Sequence, residues 1–369
     1  MKKINFAEPF LDQSEKKYIN QAINSKWISK GLFVEKFEKK FSNSLKSNFS
    51  VSTNNGTNAF LLILLTLQLK RGDEIIVPSM CYISPIHMIK MLGLIPVPVD
   101  VDVNSFQMDS KLIKKKINSK TKAILVIHNF GGISNIENIE NIAKKKKLHL
   151  IEDVSETLLS KYKNQYVGIA KKEGNPKISF SSLHATKTIT TGEGGIIFTN
   201  NKIIYKNLKK IRDHGIKDSS KYIFDKIGGN FRLSNLLCSI GYAQLFKINE
   251  IKKRKLFIDK FYKKEFKNLK SVKMQYEPKE SKLIKWGFPI KLKNKIKADL
   301  VKRKLNFNSI ICRPCFRSLD TMKHINISKN HRSFFNSRFL QDRILILPMH
   351  SNLKLKDLKF IVKIVKKYG

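Results

Sequence analysis

Apolar side chains recur along this chain in two periods, and the switch between them marks out its elements. Tyr18, Ile19, Ala22 and Ile23, then Val34, Phe37, Phe41 and Leu45, fall at helical spacings and predict two helices between residues 11 and 47. From residue 49 onward short apolar runs alternate with amphipathic stretches. Strands are predicted at 49–53, 74–78, 94–99, 123–127, 148–153, 178–182 and 196–199, and helices at 59–69, 84–92, 109–117, 136–146 and 202–212. The run from Ala123 to Ile127 has no polar face, as in a strand covered on both sides of a parallel sheet. Strand, helix and strand at these spacings imply right-handed crossovers and an α/β fold.

Beyond a helix at 235–246 and another ending near 266, the pattern changes to strands at 286–292 and 344–350 with helices at 296–305 and 356–368. This predicts a large domain over residues 1–248, including the N-terminal helices, and a smaller C-terminal α/β domain over 249–369. No internal repeat or low-complexity linker interrupts them.

Composition changes this picture little. With 369 residues and 41% hydrophobic content the chain can bury a large core. The formal net charge of +43 raises a nucleic-acid reading, but the lysines are scattered through almost every segment instead of forming a stripe. No specific nucleic-acid partner is expected, only weak binding at low salt. The longest apolar run, 59–69, contains Thr66 and Gln68 and is too short to span a bilayer. No apolar stretch of signal-peptide length follows the basic start, so a cytoplasmic protein without a membrane partner is expected. Cys81, Cys238, Cys312 and Cys315 suit a reducing compartment. Cys312 and Cys315 have redox-motif spacing, but no second ligand pair accompanies them, and no metal is expected.

Candidate chemistry gathers between the strands at 178–182 and 196–199, where a polar loop carries one lysine, Lys187. Ser182, His184, Thr186, Thr190 and Thr191 bring hydroxyl and imidazole groups near it, and Gly192, Gly194 and Gly195 let backbone approach a ligand closely. Such a loop can present an amine to a phosphorylated cofactor. Gly56 and Thr57 stand where a turn delivers a helix N-terminus, a natural anion site. Asp153 ends a strand, where ligands bind in open α/β sheets, and Tyr82 follows the end of another.

Ser182-Leu-His-Ala-Thr-Lys187 with Thr190-Thr-Gly-Glu-Gly-Gly195 resembles the Schiff-base segment of the DegT/DnrJ/EryC1/StrS sugar aminotransferases. Glu152-Asp153-Val-Ser-Glu156, Arg212-Asp-His-Gly215 and the Gly-Thr pair at 56 and 57 resemble further blocks of that family. The resemblance implies a pyridoxal-phosphate (PLP) enzyme of fold type I, with a mostly parallel seven-stranded sheet in the large domain. It implies Lys187 as the Schiff-base lysine, with Gly56, Thr57 and Ser182 at the cofactor phosphate. Tyr82 is implied to stack on the ring, Asp153 to face the pyridine nitrogen, and Glu156 to lie near the cofactor. Asn230 is implied to reach the cofactor phosphate of a neighbouring subunit, in a homodimer with shared sites. Trp27, His184, Glu193, Arg232 and Arg313 are the candidate substrate contacts.

The implied reaction moves an amino group from L-glutamate to a keto carbon, with C4 favoured, of a nucleotide-linked deoxysugar for cell-surface polysaccharide or glycan synthesis. Two alternatives stand beside it: a PLP-dependent nucleotide-sugar dehydratase and a non-catalytic regulatory or basic binding protein. The dehydratases replace this lysine by histidine, and a silent relative is expected to lose cofactor residues. Lys187, with Thr57, Tyr82, Asp153 and Ser182 intact, favours the aminotransferase.

Overall fold

The computed structural model describes residues 3–170, 177–327 and 334–369. Seven strands form one sheet in the order Phe49–Thr53, Gly195–Thr199, Lys177–Ser182, His149–Asp153, Thr121–Ile127, Glu74–Pro78, Ile95–Val99. Gly195–Thr199 runs antiparallel to both neighbours, and the remaining pairings are parallel, as expected.

Successive strand residues face opposite sides of a sheet, and here both sides are covered. Ile75, Val77, Leu125 and Ile151 pack in the core that includes the helix Gly56–Leu67. Ile76, Ile124, Val126 and Leu150 pack in the core that includes the helix Ile136–Lys145. This explains why the central strands read as unbroken apolar runs. The N-terminal helices Gln13–Asn24 and Leu32–Leu45 form a third core with Asn235–Gln244, through Phe33, Phe37, Phe41, Leu233 and Cys238.

The C-terminal half builds an antiparallel sheet, Val272–Met274, Phe288–Leu292, Ile344–Leu347 and Arg313–Pro314 in spatial order. Side chains of the helices Ile248–Phe266, Lys295–Phe307 and Leu355–Tyr368 share its core, and Ile4 near the chain start joins it through a parallel bridge to Ile310.

The strand expected at 344–350 ends at Leu347, and three other departures from the pattern-based expectation have a local cause. The helix expected from 59 starts at Gly56, because the Asn55 side chain accepts from the Asn58 amide at 2.7 Å and caps the turn. The helix expected at 109–117 shrinks to Ser110–Ile113 and a 3-10 turn, Lys114–Lys116. Asn118 competes there by accepting from the Lys120 amide at 2.8 Å, which favours a turn over another helical residue. The strand expected from 286 starts at Phe288, because the Trp286 amide donates instead to the Glu156 carbonyl at 2.9 Å.

Between the sheet and its covering helices lies a buried ion pair. Oε1 of Glu38 accepts from the Ser52 amide at 2.8 Å and the Ser52 hydroxyl at 2.7 Å, and pairs with Arg212. Arg212→Met leaves that carboxylate buried without its cation and is expected to destabilise the protein by about 3–5 kcal/mol. The change is read as a lower urea midpoint, and adding Glu38→Gln should restore part of it.

Candidate active site

Parallel strands all end on the same edge, so the loops that follow them converge. Tyr82 comes after Glu74–Pro78, His128 after Thr121–Ile127, Ser155 and Glu156 after His149–Asp153, and Lys187 after Lys177–Ser182. These residues and the N-terminus of the helix Gly56–Leu67 line a cleft of about 560 Å³. Trp286, Arg313, Pro314, Cys315, Phe316 and Ile346 close it from the C-terminal half.

One corner suits a phosphate. The first four amides of a helix have no partner within it. The Asn58 amide goes to the Asn55 side chain and the Ala59 amide to the Asn55 carbonyl, leaving those of Gly56 and Thr57. A Cβ on Gly56 would stand 2.9 Å from the Ser182 Cβ, so only glycine lets the helix start come this close to the serine. The Thr57 and Ser84 hydroxyls are hydrogen-bonded at 2.7 Å beside it.

Elsewhere in the cleft lie two buried acids and one amine. Asp153 accepts from the Ser155 amide at 2.9 Å. Burial outweighs the Ser155 contacts and the Lys187 charge, which pull the other way, and raises its pKa. Glu156 accepts from the Phe130 amide at 2.6 Å, and its Oε1 lies 3.8 Å from Nζ of Lys187. Burial outweighs the Lys187 charge and pushes Glu156 up to about 6. Nζ of Lys187 also sits 4.6 Å from the centre of the Trp286 ring.

A partly buried amine, a buried acid above the usual carboxylate range and a phosphate corner in one cavity are the parts of a carbonyl–amine site. Comparison with known proteins assigns its lineage: residues 9–366 match the DegT/DnrJ/EryC1/StrS aminotransferase family. The chain belongs to that family.

Its relatives in the DegT/DnrJ/EryC1/StrS family include the GDP-perosamine synthase of Escherichia coli O157:H7, 37% identical over 87% of each chain. The GDP-perosamine synthase of Vibrio cholerae is 30% identical over 98% of each. The solved structure of Helicobacter pylori PseC, an aminotransferase involved in the biosynthesis of pseudoaminic acid, superposes with a TM-score of 0.92 at 26% identity, covering 100% of this chain and 99% of that one.

Family membership makes this a PLP-dependent aminotransferase, and the cleft suits that cofactor. The amides of Gly56 and Thr57 with the Ser182 hydroxyl match a phosphate. Asp153 is 9% exposed, and among the described residues no cation lies within 4 Å of it, which suits a protonated ring nitrogen.

The structure brings Gly56, Thr57, Tyr82, Asp153, Glu156, Ser182, His184, Lys187, Glu193 and Arg313 to this one cleft. Trp27, Asn230 and Arg232 do not line it. Trp27 is 67% exposed, in a loop tied by its carbonyl to the Asn235 side chain. Asn230 is exposed and bridges to Asp213, and Arg232 pairs with the Asp213 carboxylate.

Sequence reasoning missed Ser84, Ser155, Trp286 and Phe316. Phe316 meets Tyr82 edge-on at 6.1 Å and stacks on Phe130 at 5.1 Å. The one available signal was Trp286, a bulky aromatic followed by glycine at the start of a strand. All four cysteines are buried, and burial pushes Cys312 up to about 11 and raises Cys315, the reverse of a reactive thiolate.

Glu156 generates a pH prediction for the cofactor-free protein. Its folded pKa lies above that of an unfolded glutamate, so the folded state holds this proton more tightly. The contribution is fully present below about pH 4.3, the unfolded value, and is lost as pH rises through about 6. Glu156→Gln, which does not titrate, should therefore gain on wild type by a few degrees in Tm between about pH 4.5 and 6.5. Thermal unfolding of both apoproteins across that range checks this.

Proposed function

We propose that this enzyme transfers an amino group from L-glutamate to the C4 keto carbon of a nucleotide-linked deoxysugar for cell-surface polysaccharide or glycan synthesis. It works in the cytoplasm as a homodimer with shared sites. The observation that carries the reading is the Lys187 amine lying in one cleft with Glu156, Asp153 and the phosphate corner. The relatives named GDP-perosamine synthase, and one from Aneurinibacillus thermoaerophilus named dTDP-3-amino-3,6-dideoxy-alpha-D-galactopyranose transaminase, support a nucleotide-linked sugar. The basis for C4 is Arg313-Pro314, on the cleft wall, which resembles an Arg-Pro pair of relatives acting on 4-keto-6-deoxy sugars, although Cys315 and Arg317 depart from the aromatics that follow it there. A lysine at 187, where dehydratases have histidine, speaks against the dehydratase alternative.

Gly56, Thr57 and Ser182 hold the cofactor phosphate, Tyr82 forms an aromatic wall for the ring, and Asp153 holds its nitrogen protonated. PLP, when bound, supplies an aldehyde to carry the amino group and a ring that draws electrons from the carbon losing its proton. Lys187 attaches the cofactor and, once freed, moves protons at its Nζ. Glu156, with its raised pKa and its Oε1 3.8 Å from that nitrogen, can hold a proton beside it. His184 and Glu193 lie at the rim, half to two-thirds exposed, with 3.6 Å between His184 Nε2 and Glu193 Oε1. Arg313, also exposed, adds a cation for an anionic substrate.

Lys187→Ala is expected to lower amino-sugar formation by at least about a thousandfold. A panel of nucleotide-linked keto sugars, incubated with glutamate and read by mass spectrometry, identifies the substrate and tests the variant. A variant turning over at the wild-type rate removes Lys187 from the chemistry.

Asn230 faces solvent in its own subunit, which supports its assignment to a neighbour's site. Mixing Lys187→Ala with Asn230→Ala subunits should restore about a quarter of wild-type activity, from hybrid dimers with one intact site under random exchange. A fully active monomer in sedimentation overturns the shared-site reading.

A further inference from the structure

Trp286 reaches the cleft from the C-terminal half and makes three contacts around Lys187. Its indole centre is 4.6 Å from Nζ. Its Nε1–H donates to the carbonyl of Thr186, the residue before Lys187, at 2.9 Å. Its backbone amide donates at 2.9 Å to the carbonyl of Glu156, whose carboxylate lies 3.8 Å from the same Nζ. One residue thus anchors the peptide leading into the lysine, the peptide of its acidic neighbour, and the amine itself.

Trp286 is in turn held on each side. Phe6 meets its ring edge-on at 4.7 Å. The next residue, Gly287, is pressed so closely that a Cβ would stand 2.3 Å from Ile346. On the other side the Lys285 carbonyl accepts from Nζ of Lys255 at 2.9 Å, and the buried Lys285 ammonium pairs with Asp259 at 2.9 Å. A side chain included only to fill volume needs neither the indole N–H bond nor a ring face turned toward an ammonium group. An aromatic face attracts a cation through its quadrupole, most strongly for indole.

We infer that Trp286 is a positioning residue for Lys187: its ring is the seat to which the amine returns whenever it is not bonded to the cofactor. The inference rests on the reading of Lys187 given under Proposed function. Seated there beside Glu156, the amine stays at the place from which it attaches the cofactor and moves protons. Without the ring, the flexible lysine stem spreads over more rotamers and reaches that place less often.

Two ligands separate seating from mere packing. Pyridoxal phosphate carries an aldehyde that the lysine amine can attack, its oxygen leaving as water; pyridoxamine phosphate fills the same corner without bonding to Lys187. Apoprotein of Trp286→Leu is expected to bind pyridoxamine phosphate within about twofold of wild type. Its pyridoxal phosphate attachment, followed by visible absorbance, should be about 3- to 30-fold slower. Trp286→Phe, which keeps a ring face, should recover most of that rate, and in turnover kcat should fall more than KM.

Wild-type attachment in Trp286→Leu overturns the inference, as does equal slowing by Leu and Phe or a parallel loss of pyridoxamine phosphate binding. Trp286→Met provides the same comparison if the Leu variant does not fold. Borohydride reduction and peptide mapping of the wild type keep the two readings apart. Attachment at a lysine other than Lys187 defeats the reading of Lys187, whereas attachment at Lys187 with no effect of Trp286→Leu defeats only the role of Trp286.

Discussion

Asp153 and Glu156 are carboxylates held out of water at the end of one strand, and the cost of that desolvation governs what lies around them. A buried charge is tolerated only with a partner. The other buried acids among the described residues have one. Glu15 pairs with Lys247 at 2.6 Å, Glu38 with Arg212, Glu152 with Lys177 at 2.6 Å, and Asp259 with Lys285 at 2.9 Å. Glu156 has Lys187 at 3.8 Å. Asp153 has no cation within 4 Å among the described residues. In a chain with 72 lysines and arginines against 29 acids, a cation would be easy to place there. Burial raises the pKa of Asp153, and the Ser155 contacts and the Lys187 charge only partly offset it.

Strand alternation builds a second layer behind this one. Glu152 turns to the opposite face from Asp153 and meets His128 at 2.9 Å as well as Lys177. Burial pushes Glu152 up, but the Lys177 charge and the His128 contact outweigh it and hold the acid at about 2. Nδ1 of His128 accepts from the Ser134 amide at 3.2 Å, so Nε2–H is the nitrogen that donates to Glu152. The cleft wall at His128 is thereby fixed by the same strand that presents Asp153.

Much of this was legible in the chain because it is local. Gly56 and Thr57 stand at a helix start, and Asp153 and Ser182 are the last residues of their strands, positions that turn residues and apolar periods betray. The lysine-rich composition carried less meaning. Lysines of opposite fate, such as the buried Lys285 and the exposed Lys30, look alike in sequence, because burial of a long cationic side chain depends on which acids fold against it.

The sequence by itself determined the strands of the large sheet and the helices between them, the placement of Asp153 at a strand end and of Lys187 in the loop after one, and the family to which they belong, since periodicity, capping and motif spacing are short-range properties. Only the tertiary structure decided who meets whom. Trp286 stands against Lys187, Phe316 against Tyr82 and Arg212 against Glu38, while Trp27, Asn230 and Arg232 fall outside the cleft. Those contacts join segments far apart in the chain, and they are set by strand order and by how the C-terminal half packs on the sheet, neither of which leaves a periodic trace in the residues themselves.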